Sequence, residues 1–345
     1  MTDSPPSPSM LIDVQARTPA LALSLSRVGV SSVEKVIRLR QGASAANGPV
    51  SDAAGDQQLF SARFECVIEL GPNQKGAHMS RFEEVVNEAI GEVVLGDSVF
   101  KVETLAQHIA QLVRDRQGAR RAEVSVEARF PEHKPAPVSG VITQELYTLH
   151  GCAVATERGT RRLVGVTAQG MTACPCAQEL IADSARERLQ AEGFDRDEIE
   201  RILEAVPVAT HNQRGLGTLH IGCPEDCDDE LDAAVLLEIV EQSMSSEIYE
   251  LMKRTDEAYV VEKAHRRPRF VEDCVREMVR GVIEQLPQLD DRSFVSAHQV
   301  NLETIHQHNV VAERFGTLGE IREELRSGTP ALAHTALSAW LHATG

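Results

Sequence analysis

Apolar residues recur along the chain at two spacings, one predicting strands and the other amphipathic helices. Alternation from Phe60 to Leu70 predicts a strand, and the stripe Phe82, Val85, Val86, Ala89 and Val93 predicts a following helix with Ser80 as its N-cap. A second stripe, Val102, Leu105, Ile109 and Leu112, predicts a helix closed by Gly118, ahead of an alternating strand at Glu123 to Phe130. Val141 to Ala155 and Arg162 to Thr167 predict a further strand pair. The second half repeats this order in pattern without repeating the sequence. It has a polar helix near Gln178 to Glu204, a short strand at Gly217 to Ile221 and a helix from about Leu231 to Lys253. Another helix carries Phe270, Cys274, Val275, Met278 and Val282 on one side. Strands at Phe294 to Leu302 and Thr304 to Val311 and a last helix at Pro330 to His342 complete the series. The boundary between halves falls near residue 160, giving units 13–160 and 161–345 behind a polar tail at 1–12 that predicts disorder.

Charge and composition narrow the possibilities. The 345 residues hold 52 acidic against 35 basic side chains, a net charge of −17, which argues against a general nucleic-acid or membrane-surface binder. A polyanionic ligand therefore needs a local basic pocket. Seven cysteines, an odd number with no secretory pattern at the start, fit a reducing cytosol better than a disulfide framework. No apolar run reaches the roughly 18 residues of a membrane span, so a cytoplasmic protein is expected.

Two polar stretches carry the candidate chemistry. Ala173 to Gln178 reads ACPCAQ and Thr210 to Gly215 reads THNQRG; thiolates and an imidazole are what a borderline-soft divalent metal requires. Glu247 falls on the apolar stripe Leu237, Val240, Met244, Ile248 and Leu251 of the expected 231–253 helix. A carboxylate there needs a metal, a basic partner or a raised pKa, or else lies at the stripe's edge and pairs with Lys253 or Arg254. His306 and His308, two apart in a strand-like run, would share a face and suit proton transfer, phosphate contact or metal ligation, or simply be exposed edge residues. Cys223 and Cys227, crowded by acids, are a weaker pair.

Six ordered segments together resemble GTP cyclohydrolases of the IB type: QKGAHMSRFEEVV (74–86), KPAPVSG (134–140), MTACPCAQ (171–178), THNQRG (210–215), SSEIYELMKRTDEAYVVEKA (245–264) and ETIHQH (303–308). The likeness runs from Asp13 nearly to Val311. It implies an α+β tunnelling fold with two sheet-plus-two-helix units per chain, and a homo-oligomer, dimer or tetramer, with active sites at subunit interfaces. It implies GTP as substrate and a divalent metal held by Cys174, His211 and Glu247, with Cys176 a further catalytic thiol. Glu262 would anchor the guanine, since one carboxylate accepts two hydrogen bonds from N1–H and the amino group. His306 and His308 match the family's histidine pair, and His78, Arg81, Lys134, Arg214 and Lys253 or Arg254 are the motif-borne cations for the triphosphate.

The implied reaction is hydrolysis of the guanine imidazole ring at C8 by a metal-activated water, loss of C8 as formate, and closure of the ribose carbons into a 7,8-dihydroneopterin. Bacterial folate-pathway members read CPCSK and place the histidine about a dozen residues after the first cysteine. This chain reads CPCAQ, with His211 37 positions after Cys174, as in archaeal members of the methanopterin route. Those use ferrous iron and give a 2′,3′-cyclic phosphate, whereas the bacterial type gives the triphosphate and tolerates zinc or manganese. A purine- or pterin-binding relative that keeps only a structural zinc is the alternative.

Overall fold

The computed structural model describes residues 13–40, 57–95, 101–227, 231–331 and 333–342; the tail expected at 1–12 lies outside them. In chain order the elements are β1 (Leu25–Arg40), β2 (Gln57–Leu70), α1 (Met79–Leu95), α2 (Val102–Gln117), β3 (Arg121–Pro135), β4 (Ile142–Thr156) and β5 (Gly159–Ala173). There follow α3 (Pro175–Ala191), α4 (Arg196–Ala205), β6 (Asn212–Cys223), α5 (Ala233–Ser243), β7 (Ser246–Glu247) and α6 (Arg254–Arg266). The chain ends with α7 (Val271–Gln285), β8 (Phe294–Leu302), β9 (Val310–Thr317), α8 (Leu318–Ser327) and α9 (Leu337–His342).

The expected tunnelling fold of two sheet-plus-two-helix units is corrected by the strand pairing. Among the described residues the strands form one nine-stranded antiparallel sheet, ordered β1-β2-β3-β4-β5-β6-β8-β9, with β7 attached to β5. The physical reason is the two-residue hairpin at 157–158: Thr156 pairs with Gly159, and the ladder runs unbroken from there to Thr148–Thr167. Helices α3, α4, α6, α8 and α9 also exceed two pairs.

One face of the sheet is apolar and covered by helices. Phe82, Val85, Leu105 and Ile109 of α1 and α2 join Phe64 and Val124 in the same buried cluster as Val240 and Met278 from α5 and α7. The other face is polar: Arg27 bridges Glu65 and Glu123, and His150 and His220 lie with ring centroids 5.3 Å apart. His220 reaches across β5 only because Gly165 has no side chain; a Cβ there would meet its ring carbon at 2.2 Å. At one end of this face Trp340 of α9 lies against Phe294 and under the Arg161 guanidinium, 4.9 Å from its ring.

Several elements differ from expectation. The single helix expected at 231–253 ends at Ser243, whose hydroxyl bonds back to the Val240 carbonyl, and Met244 is extended (ψ 174°). The chain then pairs with β5, Ser246 to Met171 and Glu247 to Gly170, so Glu247 lies on a strand. The polar helix of 178–204 is two, broken at Gly193 (φ 95°), with Asp195 and Glu198 forming a capping box for the second. The strand expected at 304–311 starts only at Val310, leaving His306 and His308 in a loop. Helix α1 begins at Met79, which puts Ser80 inside its first turn. The last helix is confined to Leu337–His342, while β1, α6 and α8 were not expected. Among the described residues no helix is long and apolar enough to cross a membrane.

Burial, reinforced by the charges of His150 and His298, pushes the His220 imidazole down to about 4. Its folded value lies below the unfolded value of roughly 6.5, so the unfolded chain takes up the proton first. Stability from this residue is therefore complete above about pH 6.5 and is lost as the pH falls toward about 4, amounting to on the order of 3 kcal/mol. Urea unfolding across that range should show the loss in the native chain. A His220→Gln chain should show a flatter acid limb, and an equally steep one would assign the loss to other groups.

Candidate active site

Antiparallel pairing of β5 and β6 brings the two polar motifs together. Ala173 is opposite Asn212, and the next backbone bond runs from the Cys174 amide to the His211 carbonyl at 3.1 Å. The Thr210 hydroxyl donates to the Cys174 carbonyl at 2.8 Å. Cys174 is also the N-cap of α3: its Sγ accepts from the Ala177 amide at 3.5 Å, and Pro175 fits the first helical position, where no N–H is needed. The thiol is thereby fixed at a strand end and a helix start at once.

Beside this corner β8 ends, and the chain continues through Glu303, His306 and His308. Glu303 Oε2 is 3.8 Å from His211 Nδ1, and neither buried atom has a hydrogen-bond partner. The His306 and His308 rings stack at 5.2 Å, 11° from parallel. Cys174, His211, Gln213, Glu303, His306 and His308 share the wall of one cavity of about 440 Å³. Of the residues singled out from sequence, Cys174, His211, His306 and His308 are thus brought together. Glu303 and Gln213 were missed, although both lie inside the quoted motifs; the available signal was an acid at the strand end just before His-x-His.

Other candidates stand elsewhere. Cys176 is exposed in the first turn of α3. Glu247 is ion-paired with Lys263. Burial pushes its carboxyl up, but the hydrogen bond and charge of Lys263, with Lys134 behind, hold it below the usual range. Glu262 lies on α6 and pairs with Arg266 at 2.8 Å. His78 precedes α1 and pairs with Asp13 at 3.1 Å, and Arg81 donates to the Arg116 carbonyl at 3.2 Å. Lys134 pairs with Glu241 and lies 5.1 Å from the Tyr249 ring centre. Arg214 donates to Gln169 at 3.1 Å, and the Lys253 amide donates to Asp256 at 2.8 Å ahead of Arg254.

Asp256 ties two motifs together. Its buried carboxylate accepts from the Val138 and Ser139 amides, the Ser139 hydroxyl and the Lys253 amide, all within 2.6–2.8 Å. Burial pushes the carboxyl up, and these bonds outweigh that and hold it well below the usual range. The turn between β3 and β4 is thereby fastened to the helix that carries Glu262 and Lys263.

A thiol, an imidazole and a carboxylate are the donor types a borderline metal takes, and two buried atoms without a hydrogen-bond partner, His211 Nδ1 and Glu303 Oε2, are of a kind that could hold a cation. The fit is one of donor type, since no three such donors among the described residues converge on one point.

The family model for "Type I GTP cyclohydrolase folE2" matches residues 11–312. Among curated relatives, proteins named GTP cyclohydrolase MptA are 39% identical from Methanococcus aeolicus (92% of this chain, all of the relative) and 39% from Methanosarcina acetivorans (91% and 97%). The relative of that name from Methanocaldococcus jannaschii is 38% identical over 91% of this chain and 98% of its own. Among solved structures, the uricase from Arthrobacter globiformis overlaps 89% of this chain and 96% of its own at 9% identity and a TM-score of 0.49, too loose to carry an argument.

Cys174→Ala and His211→Ala should each strip bound metal from protein loaded anaerobically with ferrous iron, with melting temperature nearly unchanged. Elemental analysis of Glu247→Gln and Glu303→Gln then identifies the carboxylate ligand. Full metal content in both Cys174→Ala and His211→Ala would remove the metal from this corner.

Proposed function

The chain belongs to the type I GTP cyclohydrolase folE2 family and is an enzyme, and from that premise we propose that it hydrolyses GTP at C8 of the guanine, releases formate and forms a 7,8-dihydroneopterin product. The carrying observation is the cavity in which residues from three distant motifs, Cys174, His211 and the His306–His308 pair, share one wall. We assign the chain to the IB type on its six motifs.

Each residue has a physical task in this reading. Cys174 and His211 would hold the metal, with Glu247 as third ligand after exchanging Lys263, or Glu303, whose free oxygen already faces His211. Iron(II) is favoured by the CPCAQ pattern, with zinc or manganese as alternatives. When bound, the ion supplies the cavity with a water of lowered pKa. Glu262 holds the guanine through N1–H and the amino group once released from Arg266. His306 and His308 would move protons on and off ring nitrogens, and Cys176 would be the further thiol for the later steps.

His78, Arg81 and Lys134 lie on or beside other elements of the same chain, and Arg214, though next to Gln213 on β6, is not part of the cavity wall. A homo-oligomer, dimer or tetramer, in which one copy brings such cations to another's cavity accounts for their place in the motifs. The two outermost strands, β1 and β9, are the edges at which copies would meet.

Ferrous-loaded protein incubated with GTP without oxygen should release one formate per pterin formed, and the product's mass separates the 2′,3′-cyclic phosphate from the triphosphate. No formate with iron, manganese or zinc would overturn the reading. Glu262→Gln replaces one acceptor oxygen with a donor and should weaken GTP binding by about 1.5–3 kcal/mol, read by calorimetry on metal-loaded protein.

A further inference from the structure

We propose that Gln213 is a specificity and transition-state residue: its side-chain oxygen accepts a hydrogen bond from the N–H that forms at N7 of the purine as C8 is hydrolysed. This rests on the C8-hydrolysis reading above and extends it to a residue with no other task in the fold.

Eight buried side-chain atoms among the described residues lack a partner, and four of them, on Thr172, His211, Gln213 and Glu303, belong to this one strand-end corner. Buried polar groups are almost always paired, so a concentration of unpaired ones at a cavity wall marks where a ligand is missing. Gln213 is the clearest case. It is the second residue of β6, 6% exposed, opposite Thr172 on β5, and it lines the cavity two residues from His211. No neighbour serves its Oε1: the Thr172 hydroxyl opposite it is itself without a partner, and the Gln299 amide nitrogen donates to Asn301 Oδ1 at 3.0 Å.

The chemistry selects the donor. At the C8 end intact guanine offers only N7, an acceptor, so Gln213 Oε1 gains nothing from the substrate as it binds. Hydrolysis changes this. Water adds its oxygen to C8 and the C8–N9 bond breaks; N7 and N9 each end with a proton, giving a formamide on N7 and an amine at N9. The water supplies one oxygen and two hydrogens, and no electrons are gained or lost. An N7–H thus appears only as the reaction proceeds, beside the candidate metal corner where Gln213 has its free oxygen. An interaction made only after the ground state raises kcat without lowering KM.

The test is steady-state formate release from GTP by metal-loaded Gln213→Leu, Gln213→Asn and Gln213→Glu proteins. Metal content and melting temperature are measured on the same samples. Gln213→Leu should lower kcat about 10–100-fold with KM within about twofold, full metal content and a melting temperature equal to or above the native value, because an unpaired buried acceptor has been removed. Gln213→Asn, which withdraws the oxygen by one methylene, should fall between, and guards against a leucine chain that misfolds. Gln213→Glu keeps an acceptor and should restore most of kcat. Unchanged kcat in Gln213→Leu and Gln213→Asn, a loss carried by KM, or a lower melting temperature with unchanged turnover would each overturn the role given to Gln213 and leave the cyclohydrolase reading intact. Absence of formate from the native protein would overturn that reading and this role together.

Discussion

The β5–β6 ladder is the constraint on which the site depends. Twelve residue pairs, from Arg162–Cys223 to Ala173–Asn212, set where Cys174 and His211 emerge. A slip of one residue would turn every side chain of β6 to the opposite face, sending Gln213 away from the cavity and the apolar residues Leu219 and Ile221 out of the core. The register is therefore held by the hydrophobic core, and the chemistry at the strand ends inherits a geometry that burial of those side chains fixes.

Backbone clearance extends that constraint. Gly215 in the middle of β6 leaves space for Gln299, whose amide nitrogen would be 2.5 Å from a Cβ placed there, and for the Met244 sulfur at 2.9 Å. A polar pair, Gln299 and Asn301, is thus packed there with Asn301 on the cavity wall, both residues almost fully buried. The two carboxamides are joined to each other, Gln299 Nε2 donating to Asn301 Oδ1 at 3.0 Å. The cost of leaving some of their neighbours unpaired is carried by the surrounding apolar packing.

The two sheet faces divide the remaining work. The helix-covered face provides stability through one continuous apolar cluster, while the polar face carries charge networks such as Arg27 with Glu65 and Glu123, and the His150–His220 contact. Lys134, Glu241 and Tyr147 form another closed network, with the tyrosine donating to Glu241 at 2.8 Å. A motif lysine engaged in this way serves the fold before it serves any ligand. Cations for a triphosphate must either exchange such partners or arrive from another copy.

Sequence periodicity by itself determined most of the elements that bury a face, because strands such as Phe60 to Leu70 and helices such as the one with Val275 and Met278 need apolar side chains at fixed intervals wherever they pack. The motif letters also singled out Cys174 and His211, a thiol and an imidazole that the fold brings to one cavity wall. Only the tertiary structure decided what depends on contacts between distant residues. Glu247 lies on a stripe that reads as helical, yet β5 offered the backbone of Ser246 and Glu247 unpaired hydrogen-bonding groups, and the strand pairing won over local periodicity. The strand pair on either side of the tight turn at 157–158 was legible as alternation, but that its ladder crosses the boundary expected near residue 160 and makes one sheet of the two units implied by the resemblance is settled by backbone hydrogen bonds. Glu303 and Gln213 were in plain view as letters; their meaning came from burial without a partner, a property of three strand ends meeting in space that no single segment encodes.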